Sequence, residues 1–408
     1  MTQSTSPTPE KTATPKGLLA LESVPQPLRR ILHEAIHENA SDVHFDPVGD
    51  SKAVRYRVDG VLHEKELVPY PDRAKLVNLV KVNSGMSPDR TITPMEGLML
   101  LSHDETAYDV RVTILPVLDR EAVHLRFVAS KHGLRGIDDI GLCTHHQERL
   151  QALLRDHASG LVLIAGPTGS GKTTTLYALI SAMDLHSQVI ASIEDPVEFR
   201  IPYLRQIQVD DRHGLSMQEG LRTLLRMDPE VLAVGEIRDQ VSAMIAGRAS
   251  MTGRLVLATL HAPTASVAVN ALQNLSVSRH ILGNALRMVV TQDLLPRLCA
   301  GCSRETTITD SQKAFFEKHG VKPPDRLHVA DGCEACHGYG HAGRVGVFEV
   351  VEIDTDMGYA LGAGLSQREL TDMFRRQAGH SLVADALTKA ATGTVSFEAV
   401  KRLAANTG

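Results

Sequence analysis

The apolar run Leu161-Val-Leu-Ile-Ala165 passes directly into Gly166-Pro167-Thr168-Gly169-Ser170-Gly171-Lys172-Thr173-Thr174, and a helix-forming segment starts at Lys172. A buried strand, a glycine-rich turn and a helix in this order constrain the chain to an α/β fold built around a phosphate site. Glycines let the backbone curl into a concave nest of N–H groups, and the helix N-terminus adds partial positive charge. The pattern is that of a P-loop. Residues Gly166 to Thr174 are the candidate nucleotide-binding set, with Lys172 reaching the β/γ-phosphates and the Thr173 hydroxyl ligating Mg²⁺. Glycine-rich turns also end ordinary strands, but four constrained positions in strand–turn–helix context favour binding of a nucleoside triphosphate.

With 408 residues and 43% apolar content, the chain can bury a sizeable core divided over two or three domains. A net charge of −5 argues against a general electrostatic grip on nucleic acid or anionic lipid. The absence of Trp and the few aromatics argue against a base-stacking groove. No run approaches the roughly 18 apolar residues of a membrane span. Residues 1–22 read as a disordered tail rich in Thr, Ser and Pro, not as a signal peptide. Four of the five cysteines form two C-x-x-C pairs, which is not a disulfide scaffold, so a cytoplasmic protein is expected.

Residues 23–135 read as a small α/β domain. Its first helix runs from Leu28 to about Glu38, and a strand follows at Asp42–Asp46. Val54, Tyr56 and Val58 alternate with Arg55, Arg57 and Asp59, and Asp59-Gly60 is a hairpin turn. Further strands are expected at Tyr108–Leu115 and Ala122–Val128. A linker, 136–159, carries an amphipathic helix around Gln147–Leu154. The core, 160–298, alternates apolar runs (Leu161–Ala165, Val189–Ile193, Val231–Val234, Leu255–Leu260) with helical segments, the pattern of a parallel sheet buried on both faces. Residues 299–345 hold the cysteine pairs, and 346–408 read as helical.

Hydrolysis needs carboxylates near the γ-phosphate. Val231-Leu-Ala-Val-Gly235-Glu236 ends in Gly-Glu, so the Asp that often precedes the Glu is missing. Val189-Ile-Ala-Ser-Ile193 ends in Glu194-Asp195-Pro196-Val197-Glu198. Both sets lie at strand C-terminal ends, where a doubly wound sheet binds its ligand. Glu194 is therefore a candidate for the Mg²⁺ shell, and Glu236 for orienting or deprotonating the attacking water. A single strand-end Glu is usually a solvated loop carboxylate; two after a P-loop favour an active site. His261 ends the next apolar run and reaches the same edge, where a histidine can bond the γ-phosphate or relay its loss.

The ordered motifs Gly166 to Tyr177, Ile193-Glu-Asp-Pro-Val-Glu198, Leu221-Arg-x-x-Leu-Arg226-x-Asp228-Pro229, Val234-Gly-Glu-Ile-Arg-Asp239 and Leu255 to His261 resemble the type II secretion and type IV pilus assembly ATPases. The resemblance runs from about residue 28 to the C-terminus. It implies a RecA-like ATPase core behind a small N-terminal domain, an Asp box at Glu194, Asp195 and Glu198, an atypical Walker B at Gly235 and Glu236, and a His box at His261. It further implies a homo-hexameric motor in the cytoplasm, held at the inner membrane through a platform protein of the pilus or secretion system. Nucleic acid is not an expected partner.

If the 108–115 and 122–128 strands form a hairpin turning near Leu118-Asp119, Arg111 lies opposite Arg126. Two facing cations are destabilising unless an anion lies between them. The resemblance matches both to phosphate-contacting arginines of the family, and Arg55 and Arg57 to another basic strand. Two solvated surface arginines are the plainer alternative.

Cys299-Ala-Gly-Cys302 and Cys333-Glu-Ala-Cys336 are separated by residues 303–332. Each pair can hold one side of a tetrahedral Zn²⁺, and four thiolates leave no open position, so the metal would be structural. The resemblance places this element in the secretion and pilus-assembly branch. Cys143 is most simply a packing residue. Departures from the family pattern fall at Arg254, usually His, at Pro263-Thr264, usually Asn-Asp, and at Thr93-Pro-Met-Glu-Gly97. A nucleic-acid-translocating ATPase and a low-turnover nucleotide-binding scaffold are the alternatives to a motor.

Overall fold

The computed structural model describes residues 17–407, apart from 70–71, 90–92, 105, 119, 130–133, 156–158 and 379. Most of the expected N-terminal tail and Asp119 of the expected turn lie outside the described residues. The chain divides into two compact units, residues 1–133 and 134–408.

In the first unit, seven described strands form one sheet whose order is Leu19–Ala20, Met95–His103, Thr106–Val117, Arg120–Ala129, Asp42–Val48, Ser51–Val58 and Val61–Pro69. All pairings are antiparallel except that of the short first strand. That strand corrects the expected extent of the tail. Leu19 pairs with Leu101, and Leu21 is buried, so this apolar segment belongs to the folded unit.

Alternation decides the faces. Val43, Phe45, Val54, Tyr56, Val110, Val112, Ile114, Val123 and Leu125 are buried. The Tyr56 hydroxyl, on that apolar side, donates to the Ile31 carbonyl at 3.0 Å, which ties the helix Leu28–His37 to it. Asp59 and Gly60 both have positive φ, 51° and 86°, and join two strands directly as a primed hairpin turn. The strands Met95–His103 and Val61–Pro69 and the helix Asp72–Asn83 have weak sequence patterns because many of their side chains are only partly buried.

In the second unit the sheet runs Arg205–Gln208, Ile190–Glu194, Val231–Val234, Leu255–Leu260, Gly160–Ala165, Leu286–Leu298 and His341–Glu352. The pairings are parallel until the last, which is antiparallel. Alternate residues of one strand enter different cores. Leu161, Leu163 and Ala165 pack with Leu221, Ala246 and Val269; Val162 and Ile164 pack with Leu176, Ile180 and Leu150. Helices therefore cover both faces, and continuous apolar runs are what such strands require. This is the α/β arrangement that the strand–helix alternation predicts, and it matches the RecA-like core that the family resemblance implies. The helix of the expected linker, Thr144–Arg155, is part of this unit, because Leu150 and Leu154 are buried in its core.

A third core joins Phe316 and Leu327 of the segment between the cysteine pairs to Val345, Val347, Leu382, Leu387, Val400 and Leu403. The expected division at 345/346 thus runs through a shared core, and through the strand His341–Glu352, where a helical region was expected from 346 on. The helices Leu382–Ala391 and Phe397–Thr407 pack with the cysteine-bearing segment. Among the described residues, no helix is long and apolar enough to cross a membrane.

Candidate active site

Strand order builds the site. The P-loop strand Gly160–Ala165 is flanked by Leu255–Leu260, then Val231–Val234, then Ile190–Glu194. All are parallel, so the residues after their C-terminal ends share one edge: the P-loop, His261, Glu236 and Glu194 follow one another at about 4.8 Å strand spacing. The P-loop is seated by Gln292, whose Nε2 donates to the Ser170 carbonyl at 2.7 Å. A Cβ on Gly166 would lie 2.3 Å from the Gln292 carbonyl oxygen and 2.5 Å from Ser170 Oγ, so only glycine fits that approach.

Lys172 opens the helix Lys172–Ser181 and is 8% exposed. Its Nζ donates to the carbonyls of Gly166 and Pro167, both at 2.9 Å, and lies 3.1 Å from His261 Nδ1. Burial lowers the pKa of this ammonium, with Glu236 and Asp293 opposing the shift. An ammonium has only protons to give, so His261 Nδ1 accepts and Nε2 carries the ring proton. Nε2 lies 2.7 Å from Glu236 Oε1. The other Glu236 oxygen accepts from Arg238 Nε at 2.8 Å, and Arg238 Nη1 reaches Asp195 Oδ2 at 3.0 Å. A line of charge-assisted contacts therefore links the P-loop lysine, His261, Glu236, Arg238 and Asp195. Arg238 is an addition to the residues expected from sequence; its signal there is its place two residues after Glu236, on the same side of an extended segment.

Glu194 is 2% exposed. Its carboxylate accepts from the Tyr177 hydroxyl, from Ser192 Oγ at 2.6 Å and from Gln206 Nε2 at 3.2 Å. Burial, reinforced by Glu194, pushes the Tyr177 pKa above its ordinary value, so the phenol remains a donor. The same hydroxyl accepts from the Glu198 N–H at 3.2 Å, which fastens the segment after Glu194 to the P-loop helix. The missing Asp at position 235 has a packing cause. A Cβ there would stand 3.1 Å from Glu194 Cα and 3.3 Å from its Cγ, so Glu194 occupies the space that a larger residue would need. Thr173 is half-buried and Thr174 exposed at the helix start.

Two of the departures from the family pattern can be located in the fold, and one of them has a local role. Thr264 caps the helix Ala265–Asn274, accepting from the Val267 N–H at 3.3 Å. Arg254 precedes the strand Leu255–Leu260, at the end opposite His261 and roughly 20 Å away along the strand.

On the first unit, Arg111 pairs directly with Arg126 in the hairpin, and Arg126 in turn lies opposite Asp42 on the next strand. Both arginines are exposed. Arg55 is paired with Asp46, and Arg57 donates to the Gly60 carbonyl at 3.0 Å.

The four cysteines converge because Leu286–Leu298 and His341–Glu352 pair with Leu298 opposite His341, which brings the chain ends flanking the insert together. Within the insert, Ser303–Thr307 pairs with Arg326–Ala330 and closes it again. Sγ–Sγ distances are 3.8 Å for Cys299–Cys333, Cys302–Cys336 and Cys333–Cys336, and all four sulfurs lie within 4.8 Å of one another. These distances exclude disulfides, whose sulfurs are about 2.05 Å apart. Four sulfurs each about 2.3 Å from one tetrahedral centre lie about 3.8 Å apart, so the set fits zinc. Burial opposes ionisation of Cys336, but N–H donors from Cys333 and Gly340 bring its pKa down to about 6.

The comparisons with known proteins agree with this geometry. The family model described as "Type II/IV secretion system protein" matches residues 19–402. The type II secretion system protein E of Pseudomonas aeruginosa is 35% identical over 92% of this chain and 74% of that protein. The type IV pilus assembly ATPase PilB of Thermus thermophilus is 32% identical over 93% of this chain and 44% of that protein. Among solved structures, the Legionella pneumophila ATPase DotB superposes with a TM-score of 0.66 at 19% identity, covering 96% of this chain and all of that one, a likeness of fold. A family match across nearly the whole chain, with the P-loop, the strand-end carboxylates and His261 on one sheet edge, shows that the chain belongs to the type II/IV secretion system protein family.

Proposed function

We propose that the chain is a Mg²⁺-dependent ATPase motor that powers assembly of a type IV pilus or a type II secretion pseudopilus. The observation that carries this reading is the unbroken line from Lys172 through His261 to Glu236 behind the P-loop. Backbone N–H groups of Gly166 to Thr174 cradle the phosphates, and Lys172 exchanges one of its three contacts for a phosphate oxygen. That exchange releases His261 Nδ1, so the γ-phosphate is sensed at Glu236 through the imidazole. Glu236 orients or deprotonates the attacking water. Thr173 and Glu194 hold Mg²⁺, which neutralises charge on the phosphoryl group. Glu194 takes three hydrogen bonds and retains a further acceptor position. Arg111 and Arg126 supply further positive charge.

The relatives named for type II secretion and for pilus assembly support either destination. The working form is a homo-hexamer at the cytoplasmic face of the inner membrane, docked on a platform protein. The full chain is expected to hydrolyse ATP only with Mg²⁺ under ring-forming conditions, and DNA to leave the rate unchanged. Steady-state phosphate release checks this: stimulation by DNA would favour a translocase, and binding without turnover a scaffold.

Zn²⁺ is the structural metal of the cysteine site. Purified protein should contain about one zinc per chain. Cys302→Ser should lose it and destabilise residues 299–336 while ATP still binds. Metal analysis, thiol titration and nucleotide binding test this, and a fully folded metal-free protein with reactive thiols would refute the site.

A further inference from the structure

The arginines on the open face of the N-terminal sheet are held in different ways. Arg55 is engaged through both Nε and Nη2 by Asp46, so the side of its fork is closed. Arg126 is held through Nε alone, 2.9 Å from Asp42 Oδ1, and its side chain is 55% exposed. Arg111 has no ion-pair partner among the described residues and stands directly across the hairpin from Arg126. Two facing guanidiniums repel, and a long unrestrained side chain in water would turn away from its neighbour.

Asp42 opposes that. It is 5% exposed and lies between Arg126 and Arg57 in the sheet register. Its Oδ1 accepts from His124 Nε2 at 2.7 Å as well as from Arg126, and its Oδ2 accepts from Ser41 Oγ at 2.8 Å. Arg57 Nε is 3.9 Å away. The His124 ring is itself fixed by stacking on His44, with centroids 4.7 Å apart. The carboxylate is thus held from several sides, and what it fixes is the inner edge of the Arg126 guanidinium.

We propose that Asp42 is the positioning residue for Arg126: by holding Nε it keeps both Nη groups beside Arg111 as a preformed receptor for a triphosphate. The inference rests on the reading that Arg126 acts on phosphate. Fixing the fork before the anion arrives removes rotamer freedom that binding would otherwise have to remove, and it keeps the two cations convergent despite their repulsion.

The test is steady-state ATP hydrolysis and ATP-analogue binding by the full chain. Asp42→Ala, which leaves no acceptor for the Arg126 Nε–H, should lower kcat by roughly 10- to 100-fold, the scale of a misplaced catalytic group, with analogue affinity nearly unchanged. In an Arg126→Ala background the same change should have no further effect. Arg126→Lys, which retains charge but has no Nε–H for the carboxylate and leaves the buried Asp42 in place, should lose turnover comparably, and it keeps the test open even if Asp42→Ala unfolds. Near-normal kcat in Asp42→Ala or in Arg126→Lys overturns the proposal. So does an equal loss from Asp42→Ala with and without Arg126, which would make Asp42 a general support of the sheet. Normal turnover in Arg126→Ala would instead remove the phosphate-binding reading, and the positioning role with it.

Discussion

Glu236→Gln is expected to lower ATP turnover by about 10²-fold or more while ATP binding persists. The carboxylate lies between two donors, His261 Nε2 at 2.7 Å and Arg238 Nε at 2.8 Å. An amide can accept from one of them, but its NH₂ then faces the other, donor against donor, and the negative charge is gone. The replacement therefore removes a base and disturbs its alignment together. The P-loop backbone and Lys172 are untouched, so nucleotide affinity should change little. Lys172→Ala should show the opposite pattern, weakening ATP binding directly. Phosphate release with binding of a non-hydrolysable analogue separates the two. Near-normal turnover in Glu236→Gln would take that residue out of the chemistry and return it to a structural role between His261 and Arg238.

Removing residues 1–133 should nearly abolish hydrolysis, by roughly 10³-fold or more if Arg111 and Arg126 act as arginine fingers do. The second unit has its own buried cores and is expected to fold and bind ATP without the first. If the two arginines have the proposed role, the truncated chain lacks positive charge that would matter most as charge develops on the transferred phosphoryl group, so kcat should fall further than affinity. Arg111→Ala and Arg126→Ala in the full chain should each reproduce part of the loss. The comparison is between the truncated and full chains under ring-forming conditions. Equal rates would make the two arginines ordinary surface residues.

Some elements are legible in the sequence because their signals are local. The P-loop is contiguous, and the four apolar runs of the parallel sheet are buried on both faces, so hydrophobicity alone marks them. The Arg111–Arg126 pairing follows from hairpin symmetry, and the register has it. The strand His341–Glu352 carries no such signal, since its glycine-rich start lacks both alternation and a continuous apolar run. The core shared by residues 295–403 is equally hidden, because its apolar residues are scattered over separate helices and strands.

The residue types that the chemistry needs, and the strand ends that carry them, are written locally in the chain, since both depend on near neighbours. Their partners are not. Lys172 and His261 are 89 positions apart and meet because their strands are adjacent and parallel. Asp42 and Arg126 are 84 apart and meet through antiparallel register. Hydrogen bonds and ion pairs act over about 3 Å, whereas sequence patterns report only which face of an element is buried. Which donor lies against which carboxylate is therefore settled by strand order and register.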